Sequence, residues 1–307
     1  MTMPLNHRMS VIIPTRNRGS SLKRLLDSLE LASCPDGTDV EIIVINNRST
    51  DNTPQILRQE STKERKYPIK ILEHLKLGKA GALNLGLSET AGDLLLILDD
   101  DVLVDKFCLA EHVAAYKKSV FDAVQGRVLP GVDPDGRPAD VSRLREYNIP
   151  IIDYGDAFCE IRGLTGTNMS IKREVYEKVG SFDTRLGPGA SGFSEDTEYS
   201  IRVGQAGFKI GYSPDAIVYH ELNPERYGRS YNRDVQYRKG LSRSLYRHDS
   251  LWFRTVPGLI GNCLRYLIYS ASGRRQKAYK TEGRIAKQCG YIAGKVQKQM
   301  LRHRRRP

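Results

Sequence analysis

The chain has 307 residues, with 27 % charged and 39 % hydrophobic residues, which suits a soluble globular protein of one large domain with an appendage. Five scattered cysteines (Cys34, Cys108, Cys159, Cys263 and Cys289) show no metal spacing and argue against a disulfide framework, in keeping with a reducing cytosol. The formal net charge of +12 raises nucleic acid, an anionic membrane surface or a phosphorylated substrate as partners, but much of the excess lies late in the chain.

No stretch reaches the roughly 20 apolar residues of a spanning helix. Met1 to Met9 lacks an apolar core, so no signal peptide is expected. Met9 to Pro14 reads as a short apolar strand stopped by proline. The polar loop Thr15-Arg16-Asn17-Arg18-Gly19 follows. A helix from Leu22 to Leu31 turns Leu22, Leu25, Leu26 and Leu29 inward, with Ser20 or Ser21 as its cap. Val40 to Ile45 is a second strand, rich in β-branched residues. It ends in the polar run Asn46 to Thr53 and is followed by a helix through Gln59, capped by Thr50 or Asn52. The order β-α-β-α points to a doubly wound sheet. Ile69 to Leu72 is a third strand. Gly78-Lys79-Ala80-Gly81-Ala82-Leu83-Asn84 then enters a helix ending near Gly92. Its glycines would admit a phosphate and Lys79 offers charge, although neither the P-loop nor the GxGxxG spacing is present.

The densest signal is Leu94-Leu95-Leu96-Ile97-Leu98 followed by Asp99-Asp100-Asp101. The apolar run reads as a buried strand of a mostly parallel sheet, and the acids sit at its C-terminal end, where open α/β sheets place ligands. Three adjacent carboxylates repel one another unless a cation lies between them, and a divalent ion carrying a phosphorylated substrate is the simplest such cation. Continued strand alternation would put Asp99 and Asp101 on one side and Asp100 on the other. The plainer alternative is a solvated acidic turn.

Phe107 to Tyr116 has a helical pattern, Ala123 to Leu129 is a strand, and Pro130 to Ala139 is a Gly/Pro/Asp loop. Phe158 to Asn168 alternates and ends in Gly166-Thr167-Asn168, extended by Met169 to Ile171. Arg173 to Val179 is a short helix closed by Gly180. Arg185 to Ser194 is a glycine-rich loop suited to reordering on ligand binding. Glu195-Asp196-Thr197-Glu198 opens a helix through Gln205 with Ser194 as its cap, and acids favour such an N-terminus even without chemistry. Gly207 to Ile210 and Ala216 to His220 read as two strands separated by Pro214. His220 is either a structural hydrogen-bonding group or a metal ligand.

From Asn223 the composition changes. Arg226, Tyr227, Arg229, Tyr231, Arg233 and Tyr237 interleave basic and aromatic residues. Leu259, Ile260, Leu264, Leu267 and Ile268 form an apolar helical face after Trp252 and Phe253. Lys277 to Leu301 is amphipathic and basic, followed by Arg302, Arg304, Arg305 and Arg306. Such a helix suits an anionic membrane surface, its own domain or a partner subunit. No nucleic-acid module accompanies it, and no nucleic acid is expected.

In this order the residues resemble the inverting glycosyltransferase family 2, over roughly Ser10 to His220. Val11 to Arg18 resembles its opening strand and loop, Val44 to Asp51 its second nucleotide loop, and Gly78 to Asn84 its glycine and asparagine segment. Asp99-Asp100-Asp101 resembles its metal-binding DxD. Gly166-Thr167-Asn168 and Val179 to Asp183 resemble the approach to its sugar-facing region. Glu195-Asp196 resembles the ED pair that supplies the base, and Val218-Tyr219-His220 a late segment whose histidine completes the metal site. The chain departs from the pattern at Asn46-Asn47, where members often carry aspartate. It has no Gln-x-x-Arg-Trp and no cluster of spanning helices, so it resembles a non-processive member.

The resemblance implies a GT-A fold: an α/β, doubly wound, mostly parallel sheet with a C-terminal helical extension. Residues 1–222 would be the catalytic domain, with 1–101 holding the nucleotide-sugar and 102–222 the acceptor, and 223–307 the basic helical region. Pro14, Thr15, Arg16, Asn17, Arg18, Asn46, Asn47, Lys79, Gly81, Asn84, Asp99 and Asp100 would face the donor, a UDP-sugar first among candidates. Asp99, Asp101 and His220 would hold Mg²⁺ or Mn²⁺. Asp196 would be the base, with Glu195 orienting it or replacing it. The implied acceptor is a saccharide, glycolipid or small molecule, in glycan, polysaccharide or glycolipid synthesis. A cytoplasmic enzyme is expected, peripheral on the inner face of the membrane if membrane-bound, with the C-terminal helices as the route to any homo-oligomer. The rival readings are a nucleotidyltransferase acting on a sugar phosphate and a catalytically inactive membrane-surface or adaptor protein.

Overall fold

The structure is a computed structural model describing residues 7–118, 120–133, 137, 151–223, 226 and 228–304. Tyr227, Arg305, Arg306, and residues 134–136 and 138–139 of the expected Pro130 to Ala139 loop lie outside the described residues. By contacts the described residues fall into two compact units. One takes those of 7–137, 151–184 and 195–222, the other 185–194 and those of 223–304.

The first unit alternates strand and helix through β1 (His7–Thr15), α1 (Gly19–Leu31), β2 (Thr38–Asn46), α2 (Thr53–Ser61), β3 (Ile69–Glu73), α3 (Lys79–Ser88) and β4 (Leu94–Leu98). It continues with β5 (Val102–Val104), α4 (Cys108–Lys118), β6 (Ala123–Pro130), β7 (Cys159–Ile161), β8 (Asn168–Lys172), α5 (Arg173–Val179), α6 (Glu195–Gln205) and β9 (Ile210–His220). Val11, Ile12, Ile13, Ile43, Val44, Ile45 and Leu95 to Leu98 are fully buried, as befits strands covered on both faces. Among the described residues nine strands form one sheet in the order β3-β2-β1-β4-β8-β6-β9-β5, with β7 also on β9.

Strands β3, β2, β1 and β4 are mutually parallel, because α1, α2 and α3 supply the crossovers that parallel neighbours need. Beyond β4 the sheet is mixed. β8 runs antiparallel to both β4 and β6, and β5 and β7 run antiparallel to β9, so the unbroken parallel run is limited to β3, β2, β1 and β4. The order reverses at β1, which has β2 on one side and β4 on the other. The crevice at the C-terminal ends of such a pair is where doubly wound sheets bind ligands. It is bounded here by Thr15 at the end of β1 and by Asp99 just after β4.

Local details differ from the sequence expectation for physical reasons. Pro14 lies inside β1 opposite Ile45, since an extended strand accepts its φ at the loss of one donor. α1 starts at Gly19, so Ser20 and Ser21 sit in its first turn, and Ser21 donates to Glu221 Oε2 at 2.7 Å. Asn52 precedes α2 without a side-chain cap, and the Thr53 amide bonds the Asp51 carboxylate at 2.9 Å instead. Residues 210–220 form one strand and not two. Its pairing with β6 jumps from Gly126–Ser213 to Arg127–Ile217, so a bulge absorbs Pro214.

Beside that bulge lies a buried polar chain. Asn168 donates to Ala216 O at 2.8 Å and Arg127 O at 3.1 Å, and its Oδ1 lies 2.8 Å from His112 Nε2. His112 Nδ1 lies 2.9 Å from Ser170 Oγ, which lies 2.9 Å from the Tyr116 hydroxyl. Burial lowers the His112 pKa to about 4, so the ring is neutral at pH 7. A Cβ at Gly126 would lie 2.1 Å from Asn168 Nδ2, which is why glycine occupies this position.

The second unit contains α7 (Arg229–Tyr246), a π-helical turn (Leu251–Thr255), α8 (Val256–Ala271) and α9 (Arg275–Arg304). α7 and α9 meet backbone to backbone. A Cβ on Gly240 would lie 2.0 Å from Lys287 O, and one on Gly290 2.0 Å from Tyr237 O. The segment 185–194 groups with these helices through Ser191 Oγ, 2.8 Å from Ser242 Oγ. Among the described residues no helix is long and apolar enough to cross a membrane.

Candidate active site

Three loops frame the crevice. After β1, Asn17 takes a left-handed φ of 53°. Its amide donates to Ser49 Oγ at 3.0 Å, and its side-chain oxygen accepts the Thr50 N–H at 2.7 Å, tying this loop to the one after β2. Asn46 donates to both Glu73 carboxylate oxygens, at 3.0 and 2.9 Å. Asn47 donates to Lys76 O at 2.6 Å and accepts the Gly78 N–H at 2.9 Å. Aspartate at 47 could not donate to Lys76, and aspartate at 46 would repel Glu73. The departure from aspartate therefore has a local cause. Glu73, which the sequence reading passed over, places a carboxylate beside this loop.

The acidic triplet is a turn, because β4 ends at Leu98, and strand alternation does not govern it. Asp100 accepts from Thr15 Oγ1 at 2.8 Å and from the Arg16 N–H at 3.3 Å, with Arg18 Nη1 3.5 Å away. Asp101 accepts a hydrogen bond from the Arg18 guanidinium and has His220 Nε2 at 3.5 Å. Asp99 turns the other way. Lys79 Nζ reaches it at 2.5 Å and Thr167 Oγ1 at 3.0 Å. Lys79 also lies 3.5 Å from Glu195 Oε1. The triplet thus joins two charge clusters, one around Arg18 and one around Lys79.

Burial opposes every charge here, and the partners decide the outcome. Desolvation would lower the Arg18 pKa, but Asp101 and Asp100 outweigh it and raise the value. Desolvation likewise opposes the Lys79 charge, and Asp99 and Glu195 override it. Burial, with help from Asp101 and against Arg18, pushes Asp100 up to about 7. Burial pushes Glu195 up to about 7 as well, with Asp196 adding to the rise and Lys79 opposing it.

The α6 N-terminus separates the two acids of the Glu195-Asp196 pair. Glu195 is buried against Lys79, whereas Asp196 is partly exposed and its carboxylate accepts the Thr197 N–H at 2.6 Å. Of the expected donor residues, Arg16 is exposed and contributes its backbone N–H, and Pro14 is buried within β1. Gly81 makes room for the His74 ring, which a Cβ would meet at 2.7 Å. Asn84 clamps the Phe182 backbone, donating to its O at 2.9 Å and accepting its N–H at 2.8 Å. These two residues brace the fold and are not drawn into the charge clusters. Thr167 is a polar contact that sequence reasoning missed, with the Gly166-Thr167-Asn168 pattern as its signal, and Thr15, expected to face the donor, donates to Asp100.

Of the three expected metal ligands, Asp101 and His220 come together and Asp99 does not. Among the described residues no group of three or more His, Cys, Asp or Glu side chains is arranged to hold a metal ion. The Asp101–His220 pair nevertheless has fitting chemistry. His220 Nδ1 lies 2.6 Å from Glu221 O and so donates to it, which in the neutral ring puts the Nε2 lone pair on the side of the Asp101 carboxylate, 3.5 Å away. Two lone-pair donors facing one another suit a divalent cation whose remaining ligands come from phosphate and water.

The sequence model of Glycosyl transferase family 2 matches residues 10–180, more than half of the chain. Probable glycosyltransferase YdaM of Bacillus subtilis is 30% identical over 227 residues, covering 71% of this chain and 51% of the relative, so this chain spans about half of that protein. The O-antigen chain rhamnosyltransferase RfbN of Salmonella typhimurium is 27% identical over 225 residues, covering 70% of this chain and 67% of the relative. The mannosyltransferase PcManGT of Pyrobaculum calidifontis, solved with GDP-Man and Mn²⁺, superposes with a TM-score of 0.64 at 18% identity, over 95% of this chain and 88% of that one. With the parallel half-sheet, the reversal at β1 and the acidic turn in its crevice, these matches lead to one conclusion: the chain belongs to glycosyl transferase family 2 and has the GT-A fold.

Proposed function

We propose that the protein transfers one sugar from a nucleotide-sugar to an acceptor hydroxyl with inversion of configuration, and that Asp196 takes the hydroxyl proton. The observation that carries this reading is the division of labour at the start of α6. Glu195 is buried against Lys79, while the neighbouring carboxylate of Asp196 stays partly exposed and within electrostatic reach of Lys79. An accessible carboxylate can accept a proton as oxygen attacks the anomeric carbon opposite the leaving nucleotide. Glu195 then serves to position Lys79 and the start of α6.

Asp101 and His220 would hold a divalent cation, Mg²⁺ or Mn²⁺, and that ion when bound neutralises charge on the diphosphate as the nucleotide departs. Arg18, held by Asp100 and Asp101, and Lys79, held by Asp99, keep cationic groups at the two edges of the crevice. The loop after β1 and the loop after β2 would line the side facing the base and ribose, with Asn17, Asn46 and Asn47 holding those loops in shape. Manganese and a nucleotide-sugar in PcManGT support this assignment by similarity of fold. A UDP-sugar is the first donor to try and a GDP-sugar the second. The acceptor class is a saccharide, a glycolipid or a small glycoside, and the relation to an O-antigen enzyme supports polysaccharide or glycolipid synthesis.

The test is release of nucleoside diphosphate from a panel of nucleotide-sugars, with Mn²⁺ or Mg²⁺ added or chelated, on the native chain and on Asp101→Asn. Metal-dependent release that falls in the variant supports the reading. Release of pyrophosphate from a sugar phosphate and a nucleoside triphosphate would assign nucleotidyl transfer instead. No turnover and no nucleotide binding with any donor would leave an inactive adaptor.

A further inference from the structure

The helical unit carries an inverted amphipathic element. α8 turns its polar side toward α9: Asn262 is buried and donates to Gln288 Oε1 at 2.9 Å, and Gly258 would meet Gln288 Nε2 at 2.7 Å if it carried a Cβ. Its apolar side faces outward. Ile260, Leu264, Leu267 and Ile268 are each 57–62% exposed, and their spacing puts them on one stripe of a 3.6-residue helix. The π-helical turn ahead of α8 adds Trp252 and Phe253, which are 78% and 91% exposed. A helix that hides its polar face and shows its apolar face is built to meet something apolar outside the unit.

The charge pattern identifies the occupant. From Ser250 to Thr281 there is no Asp or Glu, and there are six Lys or Arg residues: Arg254, Arg265, Arg274, Arg275, Lys277 and Lys280. A cavity lined by Arg243, Asp249, Arg254, Arg284 and Lys287 opens beside the π-helical turn, and although Asp249 pairs with Arg243 at 2.7 Å and with Arg254 at 3.3 Å, four cations face one acid there. Lys287 is half-buried there, and burial together with Arg243 and Lys239 lowers its pKa, so it faces other cations. An apolar stripe with interfacial aromatics and an acid-free basic border matches the boundary of an anionic bilayer, where the stripe enters the acyl region and the cations meet phosphates.

We propose that the outer face of α8, with Trp252 and Phe253, docks the protein on an anionic membrane surface. This assignment stands apart from the catalytic reading. It places the chain beside lipid-borne acceptors whichever donor it uses.

Trp252 is the one tryptophan of the sequence, so intrinsic fluorescence reads the face directly. The full chain is titrated with phosphatidylcholine vesicles and with vesicles of phosphatidylcholine and phosphatidylglycerol, and vesicle pelleting is measured in parallel. The expected result is a blue shift and pelleting with the anionic vesicles, both weakened by salt and both much smaller with phosphatidylcholine alone. Phe253→Ser, which keeps the fluorophore, and Leu264→Ser with Leu267→Ser should each weaken binding by about tenfold or more while leaving the helical circular dichroism and soluble donor turnover unchanged. Pelleting without a spectral shift, or pelleting unaffected by these substitutions, overturns the proposal. So does a dimer in light scattering that the Leu264 and Leu267 substitutions dissociate, because that assigns the face to a second copy of the chain.

Discussion

Replacing Lys79 by methionine should destabilise the protein in a pH-dependent way, and the sign of that dependence follows from the structure. The ammonium lies 2.5 Å from Asp99 and 3.5 Å from Glu195, with the three side chains 18%, 21% and 7% exposed. Deleting one partner of a buried ion pair costs about 3–5 kcal/mol. Asp99 keeps its Thr167 hydrogen bond and some water, so its share falls below that range. Glu195 has a different escape. Its pKa stands at about 7 against an ordinary 4.5, and loss of Lys79 raises it further. A carboxyl group whose folded pKa exceeds its unfolded one binds more protons in the folded state, so its penalty fades as pH falls and is complete above the folded pKa. The deficit of Lys79→Met relative to the native chain should therefore be about 3 kcal/mol near pH 8 and about 1–2 kcal/mol near pH 6. Urea denaturation of both proteins at the two pH values measures it. Methionine preserves the unbranched stem, so packing loss is small. A deficit that is equal at both pH values, or one below about 0.5 kcal/mol, refutes the view that Lys79 neutralises a buried Glu195.

Asp196→Asn should fold and bind nucleotide as the native chain does while turnover falls by about 10²–10⁴-fold, measured as nucleoside diphosphate release; turnover near native would remove Asp196 as the base. The His112 ring, with its pKa lowered from 6.5 to about 4 by burial, binds a proton more readily in the unfolded chain. Stability from this group is thus complete above pH 6.5 and is lost as pH falls toward 4, by at most about 3 kcal/mol. The acid-induced loss should be smaller in His112→Gln, and equal losses in urea titrations of the two proteins would contradict the assignment. Gly126→Ala pushes a methyl group to 2.1 Å from Asn168 Nδ2 and should lower stability by about 1–3 kcal/mol, read as a fall in thermal midpoint.

Much of the frame was legible before any coordinates. Apolar runs announced β1, β2 and β4, and the helix over Arg173 to Val179 with Gly180 at its end agrees residue for residue, because Gly180 takes a φ of 81° that favours glycine. The position of the acids after β4 was equally plain, since a buried strand and a polar turn leave contrasting local compositions. Local composition could not say that Pro214 sits in a bulge, because the bulge exists only through the pairing of β9 with β6. Nor could it say that Asn84 braces Phe182, 98 positions away, or that the segment 185–194 joins the helices.

The amino-acid sequence by itself determined the order of elements from β1 to β4, the family and the chemical types present at the site: three acids, an acidic pair and a late histidine. It did so because strand and helix patterns and motif spacing are carried by near neighbours. Only the tertiary structure decided the pairing of those charges. Arg18 reaches Asp101 across 83 positions and Lys79 reaches Asp99 across 20, which divides the triplet between two cations. The same holds for α8, whose apolar stripe is a periodic pattern in sequence and an outward face only because Asn262 and Gly258 pack on α9. Hydrogen bonding and burial act between groups that folding brings together, so their partners are properties of the fold and not of the local chain.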